Sequence, residues 1–151
     1  NGWGGLVEAA GGVNIGSQLL PGATGNISVE KIISMNPDYY LMTGSKRPGK
    51  GTAIIPFGYN VPQADVVSAF NALLARQGVS SIPAVVAGHT GALYHHFYNN
   101  PYNIIAIETL SKIFYPMQFK DVDPLADYHQ LITQFTHIPD DKVILSYTPE
   151  K

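Results

Sequence analysis

Apolar residues recur along the chain mainly at helical spacing. Residues 5–11 (Gly-Leu-Val-Glu-Ala-Ala-Gly) predict a short helix closed by Gly11-Gly12, since glycine tolerates the positive φ of a helix end. Ser28 is a sound N-cap for a helix over 29–35, with Ile27 and Ile32 at the staple spacing and Glu30 at the positive end. Asn36-Pro37-Asp38 stops it, because a residue before proline avoids the α region. A helix over about 63–77 presents Val66, Phe70, Leu73 and Leu74 on one face and stops at Gly78. Pro101 opens the most regular helix, about 102–115, with a stripe of Ile104, Ile107, Leu110 and Phe114. Within it, Glu108 and Lys112 have i,i+4 spacing and read as an ion pair. Asp123-Pro124 starts a last helix, about 124–135, with Leu125, Tyr128, Leu131, Ile132 and Phe135 apolar.

Between the helices lie short apolar runs. Tyr39-Tyr40-Leu41-Met42-Thr43 reads as a buried strand, and Ala84-Val85-Val86-Ala87 as the next, with Gly88-His89 at its carboxyl end. Leu93-Tyr94 adds a short strand, and Val143-Ile144-Leu145 reads as a last strand or an ordered tail. Gly44 to Pro62 is a long segment rich in Gly and Pro, and loops of that length are commonly functional. The alternation predicts an α/β fold, a layered domain with a mostly parallel sheet.

The 151 residues fit one domain and can bury roughly two-thirds of the unfolded surface. Hydrophobic residues make up 45%, which excludes disorder, and a net charge of −2 gives no footprint for nucleic acid. The absence of cysteine excludes disulfides, thiolate metal sites and thiol nucleophiles, and fits an oxidising compartment. No run approaches the ~18 apolar residues of a membrane span. Asn1-Gly2-Trp3-Gly4-Gly5 is not a signal peptide; it opens abruptly in a turn-like glycine cluster, as a processed protein or an excised piece would.

The usual catalytic signatures are missing: no dinucleotide fingerprint after a strand, no phosphate loop, no nucleophile elbow, no His-Glu-x-x-His. The densest chemistry lies in His89-Thr-Gly-Ala-Leu-Tyr94-His95-His96-Phe97-Tyr98-Asn99-Asn100-Pro101. This stretch leaves a strand and ends at a helix start, and ligands of open α/β sheets bind outside the carboxyl ends of strands. Tyr and His offer apolar faces with polar tips, suited to a bulky ligand; the plain alternative is a loop that only packs. On a strand, His95 and His96 would point to opposite faces, so one of them is a candidate ligand and both on one metal are not expected. His129 and His137 read as surface or packing residues. Lys46, Arg47 and Lys50 place three cations within five residues after strand 39–43, which suits an anion through charge-assisted hydrogen bonds, or is simply a solvated loop. Trp3, the only tryptophan, is either core or an aromatic wall of a cleft.

Four stretches together resemble a known family. They are Ala9-Ala10-Gly11-Gly12-Val13-Asn14; Ser28-Val29-Glu30-Lys31-Ile32 with Asn36-Pro37-Asp38; Ile82-Pro83-Ala84-Val85 with Gly88; and Phe97-Tyr98-Asn99-Asn100-Pro101-Tyr102-Asn103 through Glu108-Thr-Leu-Ser-Lys112 to Tyr115-Pro116 and Phe119. Their order and spacing over about residues 3–137 resemble the C-terminal lobe of the periplasmic substrate-binding proteins of ABC importers for iron–siderophore, haem, cobalamin and related metal chelates. The resemblance implies a three-layer α/β/α lobe over 1–151, one half of a two-lobe protein joined by a rigid helix, with the N-terminal lobe and that helix absent.

It also implies a non-enzymatic transport role: capture of an iron–siderophore or related chelate in the periplasm, or at the outer face of the cytoplasmic membrane through a lipid anchor, and delivery to a membrane permease. Haem, or an oxyanion such as molybdate, is the alternative ligand, and no intrinsic cofactor is expected. The expected ligand-binding residues are Trp3, Lys46, Arg47, His95, His96 and Tyr98, on loops (1–5, 44–50, 89–100) that should converge at one sheet edge. Asp65, early in helix 63–77, is the expected permease-docking carboxylate. The competing reading is an α/β enzyme using His95 or His96 as a base. It is disfavoured because no nucleophile or carboxylate near them completes a site.

Overall fold

A computed structural model describes residues 2–22, 24–139 and 142–149. The helices are α1 (Gly2–Ala9), α2 (Gly16–Leu19), α3 (Val29–Met35), α4 (Gln63–Leu74), α5 (Pro83–Val86), α6 (Asn103–Phe114) and α7 (Pro124–Phe135). The strands are β1 (Tyr40–Gly44), β2 (Gly58–Tyr59), β3 (Thr90–Tyr94), β4 (Val143–Ile144) and β5 (Ser146–Tyr147). The fold is mixed α/β, as the alternation predicts. Two compact units emerge, one from residues 1–23 with 96–141 and the other from 24–95 with 142–151.

The second unit holds the strands. β1 and β3 pair in parallel over five residue pairs, from Tyr40–Thr90 to Gly44–Tyr94. β3 pairs antiparallel with β5 over only two, so parallel pairing dominates this three-stranded sheet, ordered β1-β3-β5. β2 and β4 form a separate two-stranded antiparallel ribbon. Val143–Tyr147 is one extended run that serves both sheets in turn, with Leu145 buried between the two pairings. The core gathers Ile55, Phe57, Val66, Ala69, Phe70 and Ala92, and the Phe70 ring meets Tyr147 edge-on at 4.9 Å. α3 begins where Ser28 Oγ accepts the Lys31 N–H at 3.2 Å and ends at Asn36, whose φ of 45° suits a left-handed C-cap.

The expected strand at 84–87 is instead helix α5, and the strand follows it at 90–94. Four apolar residues carry no periodicity of their own, so the flanks decide. Pro83 occupies the first helical position, where its missing N–H costs nothing and its φ is already helical. The segment 44–62 is also less loose than its composition suggests. Ile55 and Phe57 are fully buried, and the Lys46 N–H donates to the Phe57 carbonyl at 2.9 Å. Gly44 makes this possible, since a Cβ there would lie 2.2 Å from the Ile55 carbonyl oxygen.

The first unit is helical. A Cβ on Gly12 would meet the Phe114 ring at 2.8 Å, and the Tyr115 hydroxyl donates to the Gly11 carbonyl at 2.8 Å. The predicted helix stop is thus also the seat of α6. Asp123 Oδ1 caps α7 by accepting the N–H groups of Leu125 and Ala126. α6 turns a different face inward than its large side chains suggest: Ile105, Ala106, Thr109, Leu110 and Ser111 are buried, whereas Ile104 is 44% exposed. Small residues let a neighbouring helix approach closely, and Thr109 satisfies its hydroxyl on the Ile105 carbonyl. The expected Glu108–Lys112 pair is replaced by other partners. Lys112 Nζ donates to the Val122 carbonyl, and Glu108 lies within reach of the Asp127 charge on α7, its Oε2 buried without a hydrogen-bond partner among the described residues.

Two predictions follow from this packing. Gly44→Ala should cost about 1–3 kcal/mol, as an overpacked site does, because the obstacle is backbone rather than a flexible side chain; denaturant titration measures it. The second concerns Glu108, whose carboxyl is pushed above its ordinary value by burial first and then by the nearby Asp127 carboxyl. A raised folded-state value contributes stability that is complete below the ordinary glutamate value and is lost as pH rises through the folded value. Glu108→Gln should therefore melt higher than the parent at pH 7, with the gain shrinking toward pH 4. An equal gain at both pH values would contradict this.

Candidate functional site

The parallel ladder fixes which side chains share an end of the sheet. β1 and β3 run the same way, so Thr43 and His95, 52 positions apart, both reach the carboxyl end. There Thr43 Oγ1 lies 2.9 Å from His95 Nδ1. The chain after β1 passes through buried Ser45 into Lys46, whose Nζ donates to the Asn60 carbonyl at 3.4 Å. Arg47 and Lys50 are exposed. Tyr94, half-buried at the same end of β3 and paired with Gly44, has its hydroxyl pushed upward by burial and by neighbouring Tyr59. This end of the second unit therefore offers three cations, an imidazole held by a hydroxyl, and phenols. Such a set contacts anions and polar chelates through charge-assisted hydrogen bonds.

Trp3, His96 and Tyr98 belong to the first unit. Trp3 is partly buried in α1. His96 and Tyr98 stand in a 3-10 turn, His95–Asn99, pinned by Phe97 at 1% exposure, while Tyr98 is 39% exposed. A Cβ on Gly2 would lie 3.8 Å from the Tyr98 ring, so Tyr98 sits against the start of the helix that carries Trp3. The six expected ligand residues thus fall into two sets, Lys46, Arg47 and His95 on one unit and Trp3, His96 and Tyr98 on the other. Asn1, in the first of the expected loops, lies outside the described residues.

Two expectations change. His95 and His96 are not on a strand with opposed side chains; they begin the 3-10 turn that follows β3. His89 stands at the amino end of β3 because residues 84–87 are helical, so it is far along the strand from the candidate site. It serves the fold instead: its ring stacks on Tyr39 at 5.4 Å and Nδ1 meets the Asp38 carbonyl at 3.2 Å. Asp65 is exposed in the first turn of α4, where a carboxylate also complements the positive helix end. Thr43 is the residue that sequence reasoning missed. A polar residue closing an apolar strand was its only signal.

A groove runs along β1 on the same unit and reaches Thr43. It is open, with a volume of about 350 Å³, and is lined by Tyr40, Leu41, Met42 and Thr43 together with Ile54, Leu73 and Arg76. Burial raises the Tyr40 hydroxyl above its usual value, and the Arg76 charge opposes the shift. Among the described residues, no group of three or more His, Asp or Glu side chains is placed to hold a metal ion, and no helix is long and apolar enough to cross a membrane.

No sequence family and no curated protein matches the chain. Among solved structures, the chain is similar to the crystal structure of the TroA-like periplasmic binding protein FepB from Veillonella parvula. The TM-score is 0.89 at 27% sequence identity, over 99% of this chain and 42% of that one. The chain therefore spans less than half the length of the protein it matches, and has the fold of that portion of a periplasmic binding protein.

Thr43→Val should release the His95 ring, at a cost of about 0.5–1.5 kcal/mol for one hydrogen bond, whereas Thr43→Ser should retain it. The imidazole nitrogen resonances of His95 report the change; identical spectra for the parent and the valine variant would contradict it.

Proposed function

We propose that residues 1–151 form the C-terminal lobe of a two-lobe substrate-binding protein of an ABC importer, with the N-terminal lobe and the linking helix outside these residues. The observation that carries this reading is the likeness to a periplasmic binding protein over 99% of the chain at a TM-score of 0.89. The role is capture, not catalysis. The ligand is a metal chelate, an iron–siderophore or a close relative, held in the periplasm and delivered to a membrane permease that docks near Asp65.

Lys46 and Arg47 contribute charge-assisted hydrogen bonds, His95 and His96 polar ring contacts, and Tyr98 and Trp3 aromatic surface. The exposed cluster of Lys46, Arg47 and Lys50 supports a second ligand class on the same surface, an oxyanion or the propionates of haem. Both classes put negative charge against the same cations.

The test is titration of the two-lobe protein with a ferric siderophore, with haem and with molybdate, followed by Trp3 fluorescence. Saturable quenching without product formation is expected for one of the three, and residues 1–151 alone should bind it far more weakly. Arg47→Ala should lose roughly ten- to 150-fold in affinity, the equivalent of one charge-assisted hydrogen bond of ~1.5–3 kcal/mol. Binding should also weaken with salt, since exposed charges are screened over ~10 Å at 0.1 M. Tyr98→Phe should instead alter the pH dependence if the phenol touches the metal. Unchanged affinity in both variants would place the cleft on other loops.

A further inference from the structure

The opening helix carries the run Gly2-Trp3-Gly4-Gly5, in which the lone tryptophan has a glycine on each side. Glycine weakens a helix relative to alanine, so this run asks for a reason. The reason lies in what each glycine seats. A Cβ on Gly2 would lie 3.8 Å from the Tyr98 ring, and one on Gly4 would lie 3.0 Å from Asn14 Nδ2. The second approach is closer than ordinary van der Waals contact, so a side chain at position 4 would press on the amide. Two polar-tipped side chains thus close on the residues next to Trp3, one at each flanking glycine.

Asn14 is the member of this group that the site described above does not use. After α1 the chain reverses at Gly11, whose φ is 82°, and brings Asn14 back beside Gly4. Its amide has one orientation there. Oδ1 accepts the Gly16 N–H at 3.1 Å, and only the oxygen of an amide can accept. Nδ2 is therefore the atom turned toward α1. The Asn14 carbonyl accepts the Ser17 hydroxyl at 2.7 Å and the Ser17 N–H at 3.2 Å, which holds the backbone as well.

The oxygen end is spent and the nitrogen end is not. Among the described residues Nδ2 has no hydrogen-bond partner, and it is not sealed from solvent, Asn14 being only half-buried. Bonding the Gly16 N–H needs an acceptor alone, which aspartate or serine supplies equally well. Asparagine adds two N–H donors, held in place by the bond on the other side of the amide and set one residue along α1 from Trp3.

We propose that Asn14 is a further ligand-binding residue beside Trp3 and Tyr98, donating through Nδ2 to an anionic oxygen of the ligand. The proposal rests on the capture reading above, whose ligand classes both present carboxylate or oxyanion oxygens. It makes Asn14 a residue that selects for such oxygens, since an ordered amide nitrogen offers nothing to a ligand without acceptors.

The test titrates residues 1–151 with ferric citrate and with molybdate, a chelated and a free anion, and follows side-chain N–H resonances, which report weak binding. With one of the two, the Asn14 Nδ2 protons and the Trp3 indole N–H should shift together and saturate at the same concentration. Asn14→Ser retains a capping oxygen, adds no charge and removes the donors. It should keep the fold yet bind the same anion about tenfold or more weakly, as loss of a hydrogen bond to a charged group does. Asn14→Asp should bind more weakly still, and added salt should narrow the gap between the two variants, because only the aspartate also repels the anion. Saturable movement of Trp3 with the Asn14 resonances unmoved would overturn the proposal and leave the capture reading standing. Movement of neither resonance with either anion would overturn it together with the anionic ligand class. Parent-like affinity in Asn14→Ser would overturn it too. If a variant fails to fold, the titration of the unsubstituted chain decides.

Discussion

Five residue pairs of parallel backbone ladder between β1 and β3 are the constraint on which the second unit depends. A parallel pair cannot be closed by a tight turn; it needs a long crossover, and here that crossover contains the loop, the helix α4 and the short helix α5. The same ladder delivers Thr43 and His95 to one end and leaves His89 at the other. Which residues could meet a ligand is therefore decided by strand direction before any side chain is considered.

Gly44 is the point where that ladder meets the core. Its missing side chain admits the Ile55 carbonyl, which lets Ile55 and Phe57 reach full burial and draws the end of the long segment back under the sheet. What remains outside is the stretch around Lys46, Arg47 and Lys50. Exposed cations of this kind add little to folding stability, because water screens them and their side chains keep their freedom. Their energetic effect is felt when a partner of opposite charge displaces that water. The local division of labour is thus clear: apolar residues fix the path of the loop, and the charged ones are left for an encounter.

Sequence and structure agree closest where a cap fixes an element end. Ser28 with Pro37, and Asp123 with Pro124, define α3 and α7 at the boundaries the sequence predicts. The α/β class was legible in the alternation of apolar runs and amphipathic helices, whereas the parallel partner of β1 is 90–94 and not the expected 84–87. Agreement fails where burial is decided by neighbours. Residues 84–87 had no internal rhythm, and the proline ahead of them was the signal to weigh. α6 buries a face containing Ala106, Thr109 and Ser111, since close approach favours small residues that no hydropathy pattern marks. Glu108 had a sensible sequence partner in Lys112, yet helix packing brought Asp127 instead. At the candidate site the cations and His95 stood out by type and position, whereas Thr43 became visible only with the register across 52 positions. The division of the six residues between two units has no local signature at all.

The hydrogen bond from Tyr115 to Gly11 spans 104 positions, and it dates the completion of the first unit. α1 is made at the start of this stretch, but the helix that seats it is made near the end. At a synthesis rate of about 5–20 residues per second, roughly 5–20 s separate the two. During that interval α1, with 8 residues, is too short to persist alone, since isolated helices need ~12–15 residues even in favourable sequences. Leu6 and Ala10 then wait in a nascent segment without a core to enter, while residues 24–95 are already available to collapse around their own. The opening segment of the first unit therefore stays exposed until α6 follows it, and that segment is where a holding chaperone would find its grip.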